Sequence, residues 1–380
     1  MTNDYSISIL TCGKSDDYLY SLFGHTAVRI KDNLNNIDIV YNYGTFDSSN
    51  PWFYFQFING KLLYFLSSCN YEAFLYTYKY EKRYIHEQVL NLTQEQKKTI
   101  YLKIESQLNS NDKFYYYDFI KDNCTTRTIK LLLESTDYNY NSGLITEIQN
   151  MNSQKGVSIR NTICHYLPND SYSMIGVNVL LGLYSDTISS RNVALFLPDT
   201  LEYVLDNVYL NDIKLVKDHR IIYEPEDNLS KMEWISTNSI LYVVLVIMVI
   251  ISLNNTYRFT KYKIVYLLNY YIVQSLSILI SLIGCLLLII SFFSHIELMR
   301  LNLNLLWCNP LYLLLVFNYK RCAISVILLL GISIYSILYY NHIFFISVLP
   351  ILLIILLLLF NYNILDWYKK KLDCPLSLGY

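Results

Sequence analysis

Long apolar stretches confined to the C-terminal part constrain this chain most. Five stretches carry no Asp, Glu, Lys or Arg: residues 234–253, 264–294, 303–319, 322–341 and 343–365. About 20 apolar residues in a helix are enough to cross the hydrocarbon layer of a bilayer. The third stretch is the least regular, because Asn304, Asn309 and Pro310 interrupt it. Together the stretches predict an α-helical membrane domain of five spans over residues 234–365, followed by a tail at residues 366–380.

The basic residues of this part predict its orientation. Eight of its Lys and Arg residues fall on alternate connections and in the tail: Arg258, Lys261, Lys263, Lys320, Arg321, Lys369, Lys370 and Lys371. The opposite connections carry Arg300 alone. Connections rich in Lys and Arg stay in the cytoplasm. In a bacterial inner membrane, five spans then predict a periplasmic domain at residues 1–233 and a cytoplasmic C-terminus.

The first residues of the chain conflict with export of this domain. MTNDYSISIL has neither the basic nor the apolar region of a signal peptide. Because the basic connections lie at three separate places, we expect them to decide the orientation.

The composition of residues 1–233 excludes some functions. They carry 21 Lys and Arg against 28 Asp and Glu. A nucleic-acid-binding domain would instead show a basic surface. The segment also lacks a Walker motif, a dinucleotide fingerprint and a GxSxG elbow, which disfavours nucleotide use and serine hydrolase chemistry.

Alternation and capping patterns predict an α+β fold for residues 1–233. Alternating apolar and polar residues predict strands at 5–11, 25–31, 37–43 and 62–67. Thr93 and Gln96 form a capping-box pattern for a helix to Leu108. Asp122 and Asn123 are good N-caps for a second helix from Cys124 to about Glu134. The polar stretch at residues 136–159 is predicted to be a loop. The strands favour an antiparallel sheet.

Cys124 and His25 are the candidate catalytic pair. A thiol at the start of a helix lies near unpaired amides and the positive end of the helix dipole, which lowers its pKa. His25 precedes a strand pattern in LFGHTAVRI and would be the base. Papain-like thiol enzymes use this arrangement. Each residue alone is more commonly structural, so the pairing carries the prediction.

The remaining His and Cys residues predict no further site. No Cys or His spacing matches a zinc motif, so we expect no metal. His86, His165 and His219 have no companion nucleophile nearby in the sequence. A disulfide between Cys12 and either Cys69 or Cys164 is compatible with an oxidising compartment, and the sequence does not choose between them.

Several segments resemble the Lnb family of Bacteroidota. They are YSISILTCG, LFGHTAVRI, VYNYGTFD, NGKLLYFLS, EQVLNLTQEQK, YYYDFIKDNCTTR, LLGLYSDT, ALFLPDTL and NLNLLWCNPL. The family joins a papain-like periplasmic domain, similar to permuted NlpC-like and lecithin–retinol-acyltransferase-like thiol enzymes, to a five-span membrane domain. Its members are regarded as lipoprotein N-acyltransferases. The resemblance implies that Cys124 is the nucleophile and His25 the base, and it implies no cofactor.

This activity would move an acyl chain from a phospholipid to the α-amine of a diacylglyceryl-cysteine lipoprotein through a thioester on Cys124. Asn42 is the candidate that orients His25. Four further residues are candidates for binding substrate: Arg29 for phosphate, Asn123 with the backbone amides up to Thr125 for the oxyanion, Arg127 on the same helix, and His295 for a lipid headgroup or a peptide amine. An interfacial anchor beside Trp307 is the alternative role of His295.

Two other readings stay open. A thiol hydrolase, acting on a phospholipid ester or on a cell-wall amide or peptide bond, would use the same Cys124 and His25 with water as acceptor. A membrane sensor or transporter would need neither residue. No predicted span carries the buried ionisable residue typical of a transport path.

Overall fold

The computed structural model describes residues 5–15, 17, 21–47, 49, 51–136, 146, 158–168, 171–187, 196–210, 213–226, 237–256, 263–317, 321–339, 342 and 344–373. Most of the predicted loop at residues 136–159 lies outside them, as do Arg258, Lys261 and Lys320 of the predicted cytoplasmic connections. The chain divides into two compact units. The first is Met1–Thr162 with Thr187–Met232, and the second is Ile163–Asp186 with Glu233–Tyr380.

The helices and strands that precede the apolar stretches are, in chain order, β1 (Ser6–Cys12), β2 (His25–Asp32), β3 (Ile37–Phe46), α1 (Phe53–Asn59), β4 (Leu63–Asn70), α2 (Tyr71–Tyr80), β5 (Ile85–Leu90), α3 (Gln94–Leu108), β6 (Phe114–Tyr116), α4 (Cys124–Leu133), α5 (Ile159–Tyr166), α6 (Tyr172–Leu180), α7 (Pro198–Asn207), β7 (Tyr209–Leu210), β8 (Ile213–Lys214) and β9 (Val216–Tyr223).

Seven of these strands form one antiparallel sheet in the order β6-β4-β3-β2-β1-β5-β9. The predicted mixture of helices with an antiparallel sheet is confirmed. The predicted capping box at Thr93 is present at the start of α3, and Asn123 caps α4 and forms a second capping box with Thr126. The four strands predicted by alternation correspond to β1, β2, β3 and β4, and the strands β5, β6 and β9 of this sheet were not among them.

Each face of the sheet carries a core. One face holds Val28 and Ile30 against the buried residues of α3 and α4, such as Ile100 and Ile129. The other holds Leu10 and other apolar residues against α2. Full burial of an aliphatic side chain stabilises the fold by about 1.5–3 kcal/mol. Because α4 packs on β2 and β3, its N-terminus is fixed relative to the start of β2, where His25 lies.

The second unit is built mainly from apolar helices: α8 (Thr237–Thr256), α9 (Lys263–Phe293), α10 (Tyr312–Val316), α11 (Arg321–Tyr339) and α12 (Phe345–Asp373). Three segments are long and apolar enough to cross a membrane, namely Leu267–Phe293, Arg321–Tyr339 and Phe345–Ile364. Ser239–Asn255 is a shorter apolar helix. The second unit also includes α6.

The third charge-free stretch is not a regular helix. Its described part forms a 3-10 turn at Leu303–Leu306 and the five-residue α10. The side-chain amide of Asn304 donates to the carbonyl oxygens of Asn178 (3.0 Å) and Val179 (3.1 Å), and Pro310 has no amide hydrogen to donate. This corrects the expectation of a helical span at residues 303–319.

Arg29 lies within the sheet as part of a buried ion cluster. Its guanidinium makes two 2.7 Å bonds to Asp38 and one of 3.0 Å to Glu87, and it lies 3.3 Å from the ring centroid of Tyr71. Arg29 and Glu87 are both almost fully buried. A buried charge that loses its partner is strongly destabilising.

We expect Arg29→Met to lower the free energy of unfolding of the first unit by about 3–5 kcal/mol, because Glu87 would keep a buried charge without its partner. The buried thiol of Cys12 reports this unfolding, through its rate of alkylation in the detergent-purified chain at increasing urea. Arg220→Met, which breaks an exposed pair with Asp218, is the control. Equal midpoints for the two variants would show that the cluster does not stabilise the sheet.

Candidate active site

Cys124 is the first residue of α4, and the cap of this helix determines its surroundings. The Asn123 side chain accepts from the Thr126 amide at 2.9 Å, and the Thr126 hydroxyl accepts from the Asn123 amide at 2.8 Å. A helix leaves its first amides without partners inside the helix. The capping box satisfies those of Asn123 and Thr126. Among the described residues, the amides of Cys124 and Thr125 have no acceptor.

The polar atoms of the Asn123 side chain all form hydrogen bonds within the protein. Its side-chain NH2 donates to the carbonyl oxygens of Phe119 at 2.9 Å and Phe196 at 2.8 Å, and the residue is buried. The sequence proposed Asn123 as a substrate ligand. The structure gives it a different place, as the residue that holds the start of α4 on two neighbouring segments.

His25 is the first residue of β2 and directly follows Gly24, whose left-handed backbone conformation favours glycine. Gly24 has φ 78°, and a Cβ there would stand 2.6 Å from the carbonyl oxygen of Cys12. L-residues with a side chain rarely adopt this conformation. The turn therefore depends on glycine, and it sets the position from which the imidazole reaches the site.

Asn42 contacts the imidazole, as the sequence proposed. The Nε2 atom of His25 lies 3.2 Å from Oδ1 of Asn42. Because an amide oxygen only accepts, Nε2 carries the proton, and Nδ1 is left for the sulfur of Cys124. The amide nitrogen of Asn42 lies 3.6 Å from Sγ of Cys69. His25, Asn42 and Cys124 are thus brought together from β2, β3 and α4.

The surroundings of Cys124 lower the pKa of its thiol. Burial is the largest single effect and raises the pKa. The charge of His25 and its hydrogen bond oppose burial, followed by hydrogen bonds with the Thr26 amide and the Thr125 hydroxyl, and the net pKa lies below its usual value. By contrast, burial raises the pKa of Cys12 to about 12. Of the described cysteines, Cys124 has the surroundings of a reactive thiolate.

Tyr115 is a residue that sequence reasoning missed. A methyl group at Gly44, in the irregular part of β3, would stand 3.9 Å from Cβ of Cys124 and 3.9 Å from the Tyr115 hydroxyl. That hydroxyl is buried and has no hydrogen-bond partner in the described part of the chain. A buried donor without a partner costs free energy. No sequence pattern marks Tyr115 among the 38 tyrosines.

Three tyrosines lie within electrostatic reach of the Cys124 sulfur. A negative charge on Cys124 raises the pKa of the hydroxyls of Tyr64, Tyr115 and Tyr117, in addition to the larger effect of burial. The rings of Tyr64 and Tyr117 stack with centroids 4.5 Å apart. Cys124, which is partly exposed, packs against the hydrophobic core that contains Tyr64 and Tyr115.

The other predicted ligands have different surroundings. Arg29 lies in the buried ion cluster, so its donors are taken. Arg127 makes bonds of 2.6 and 2.7 Å to Asp122 and lies 3.5 Å from the ring centroid of Tyr115, which fixes the loop before α4. His295 is exposed in the second unit, on the bend after α9.

The described cysteines are all free thiols, including Cys12, Cys69 and Cys164. Neither disulfide that the sequence left open is formed. Among the described residues, the set of three side chains with metal-ligating spacing is His86, Glu202 and His219, which does not include the candidate catalytic residues.

Comparison with known proteins gives one match. Residues 2–153 match the family model described as the Lnb N-terminal periplasmic domain. No curated protein and no solved structure matches the chain. The matched segment contains His25, Asn42, Tyr115 and Cys124. The match and the apolar helices point to a membrane protein with a periplasmic N-terminal domain.

His25→Ala should raise the pKa of Cys124 above that of an ordinary thiol. The variant removes the charge and the hydrogen bond of the imidazole, which are the main effects that lower this pKa against burial. The pH dependence of alkylation by iodoacetamide, followed by mass spectrometry of the Cys124 peptide, gives the midpoint. His165→Ala, an exposed histidine, should keep the low midpoint of the unaltered chain. An unchanged midpoint in His25→Ala would mean that the imidazole does not stabilise the thiolate.

Proposed function

We propose that this chain is a lipoprotein N-acyltransferase with Cys124 as nucleophile. The observation that carries the proposal is a thiol of lowered pKa at a helix N-terminus beside His25, which is held by Asn42. A Cys, His and Asn set is the constellation of papain-like thiol enzymes, and we propose a papain-like origin for the domain. The match of residues 2–153 to a periplasmic domain agrees with the compartment in which this reaction would take place.

In the first half-reaction, the thiolate of Cys124 attacks an ester carbonyl carbon of a phospholipid. A carbon–sulfur bond forms, and the carbonyl electrons move to oxygen. When the carbonyl re-forms, the carbon–oxygen bond to glycerol breaks. The glycerol oxygen takes a proton from the His25 imidazolium and leaves as a lysophospholipid. A thioester on Cys124 remains.

In the second half-reaction, the α-amine of a diacylglyceryl-cysteine lipoprotein attacks the thioester carbon. A carbon–nitrogen bond forms, the carbon–sulfur bond breaks, and His25 accepts the proton that the nitrogen loses. The product is an amide, and the thiolate and imidazolium of the resting site are restored. No cofactor takes part in either half-reaction.

Three donors are suited to the negative oxygen of both tetrahedral intermediates. The amides of Cys124 and Thr125 lack acceptors, and the buried hydroxyl of Tyr115 lacks a partner. Fixed donors of this kind stabilise a developing charge without reorganisation. We assign Tyr115 to this role together with the two amides, which replaces Asn123.

Apolar surface in the first unit supports a lipid substrate. Trp52 and Phe55 at α1 are exposed, at 68% and 65%, and their ring centroids lie 6.5 Å apart. The ring of Phe53 in the same helix packs on Phe46 at the end of β3, the strand that carries Asn42. Exposed apolar side chains that cluster mark contact sites for membranes or ligands.

We also propose that the irregular stretch after α9 completes a fifth crossing. The amide of Asn302 bonds Ser291 near the end of α9, and the backbone of Asn309 lies against Gly284 further back. Arg321 contacts Tyr362, which bonds Gln274 in the first half of α9. The stretch thus runs antiparallel to the part of α9 between Ser291 and Gln274. Irregular backbone is tolerated at membrane depth where protein covers it. Five crossings put the C-terminus in the cytoplasm.

Incubation of the purified chain with phospholipid should give an acyl adduct on Cys124 that hydroxylamine removes, visible by intact mass and peptide mapping. Addition of a diacylated lipopeptide should then convert it to an N-acylated product. Cys124→Ser is the matched variant and should give no hydroxylamine-sensitive adduct. An adduct on another residue would reject Cys124, and release of free fatty acid without N-acylated product would assign the site to a hydrolase.

Tyr115→Phe should lower kcat by about 10²-fold with little change in KM, because an oxyanion donor acts in the transition state. Initial rates of N-acylated product measure both constants. Tyr41→Phe is the control, since this buried hydroxyl bonds Glu105. Equal losses in the two variants would attribute the effect to core packing.

A further inference from the structure

Two histidines distant in the sequence meet on one face of the sheet. His86 lies on β5 and His219 on the neighbouring edge strand β9, where His86 pairs with Ile221 and Gln88 with His219. Opposed residues of paired strands share a face, and so do residues two apart in one strand, such as His86 and Gln88. The imidazoles of His86 and His219 therefore lie on the same side of the sheet. Their ring centroids are 5.9 Å apart.

α7 covers this face and supplies carboxylates. Glu202 and Asp206 are four residues apart, and this spacing places both on one side of a helix. The neighbouring side of α7 is buried through Leu201 and Leu205. The backbone carbonyl of Glu202 also accepts from the Gln88 side chain at 2.8 Å, which fixes the helix above β5.

Three potential ligand atoms converge at the centre. Oε1 of Glu202 lies 2.8 Å from Nδ1 of His86 and 3.1 Å from Nε2 of His219. Ligand atoms of the three residues all lie within 4.8 Å of one another. A tetrahedral zinc ion with bonds of 2.0–2.2 Å holds its ligand atoms about 3.3 Å apart. Both separations from Oε1 of Glu202 lie within about 0.5 Å of this value.

The second ring nitrogen of each histidine lies near a further carboxylate. Nδ1 of His219 lies 2.8 Å from Asp206, and Nε2 of His86 lies 3.3 Å from Glu224. A metal-bound histidine usually donates its second N–H to a carboxylate in this way, which fixes the tautomer and the ring. In the tautomer that places the N–H groups on the outer nitrogens, each imidazole directs a ring lone pair at the Glu202 oxygen, as the histidine ligands of a metal do. Only a cation or additional protons can make that arrangement attractive.

We propose that His86, Glu202 and His219 form a binding site for a divalent transition-metal ion, with zinc as the ion that fits best. Two imidazoles and a carboxylate suit zinc, whereas calcium and magnesium prefer oxygen ligands. The fourth position faces solvent, since His219 keeps 34% of its side chain exposed. Cys124, His25 and Asn42 are not part of this site, so the inference does not depend on acyl transfer.

The ion would tie α7 to the sheet and so support the active site. α7 begins at Pro198, whose ring would stand 3.6 Å from a Cβ at Gly24, next to His25. Phe196, just before α7, accepts the hydrogen bond from Asn123. A metal at Glu202 would hold the helix whose first residues contact both sides of the catalytic pair. Its role is therefore positional.

Equilibrium dialysis of the detergent-purified full chain against zinc, with metal content measured by mass spectrometry, tests the site. A Cys124→Ser background keeps the reactive thiol from contributing. We expect one zinc ion per chain. Asp206→Asn should weaken binding about 10- to 100-fold, and His86→Asn or His219→Asn should weaken it further. His165→Asn is the matched control and should bind as the background does.

Cobalt(II) distinguishes this site from the thiols. Cobalt bound by imidazole and carboxylate should show tetrahedral d–d absorption without the intense thiolate-to-cobalt charge-transfer bands, and His219→Asn should abolish it. Absence of bound metal, charge-transfer bands, or binding that survives His219→Asn would each overturn the proposal. Acyl transfer that persists unchanged in the metal-free chain with Cys124 intact would contradict the supporting role of the ion and would leave the catalytic assignment intact.

Discussion

The buried side chain of Asn123 is the constraint on which the rest of the candidate site depends. Its oxygen caps α4, and its nitrogen bonds Phe119 and Phe196, so three segments meet at one amide. The helix therefore begins at Cys124 and at no other residue. Only with that start do the free amides and the positive end of the helix dipole fall at the sulfur. The pKa of the thiol thus depends on the fold of the cap as well as on His25.

The residues of the candidate site come from two strands and one helix, which are rigid elements. His25 and Asn42 come from neighbouring strands, and Cys124 from the helix that packs across them. Catalytic geometry has to hold within about half an ångström, which elements of a sheet and a packed helix achieve better than loops. The glycine before His25 and the irregular pairing of β3 after Asn42 are local departures from regular strand geometry at this same place. Such departures collect at functional sites.

Sequence patterns predicted only those features that residues close together in the chain determine. The caps at Thr93 and Asn123 and the alternation in β1 to β4 depend on neighbours in the chain, and they gave the core elements and the Cys124 and His25 pair. Arg29 showed why a strand position alone is insufficient, because Asp38 and Glu87, which occupy its donors, come from other strands. Tyr115 and the pair of His86 with His219 are defined by contacts across the sheet. The irregular stretch at residues 303–317 depends on hydrogen bonds from asparagine side chains to the backbone of α6. The apolar composition of this stretch does not predict these bonds.

The lowered pKa of Cys124 bears on which step the site favours. A thiolate of lower pKa is a weaker nucleophile but a better leaving group, so the same surroundings slow the attack on the ester and speed departure from the thioester. An α-amine has an ordinary pKa near 8, so a sizeable fraction is neutral and nucleophilic at pH 7 without a base. Water needs His25 to remove a proton as it attacks. In the proposed reaction, exclusion of water from the site would give the amine a further advantage. A thiolate that leaves readily is therefore what the proposed transfer to an amine, rather than hydrolysis, would require.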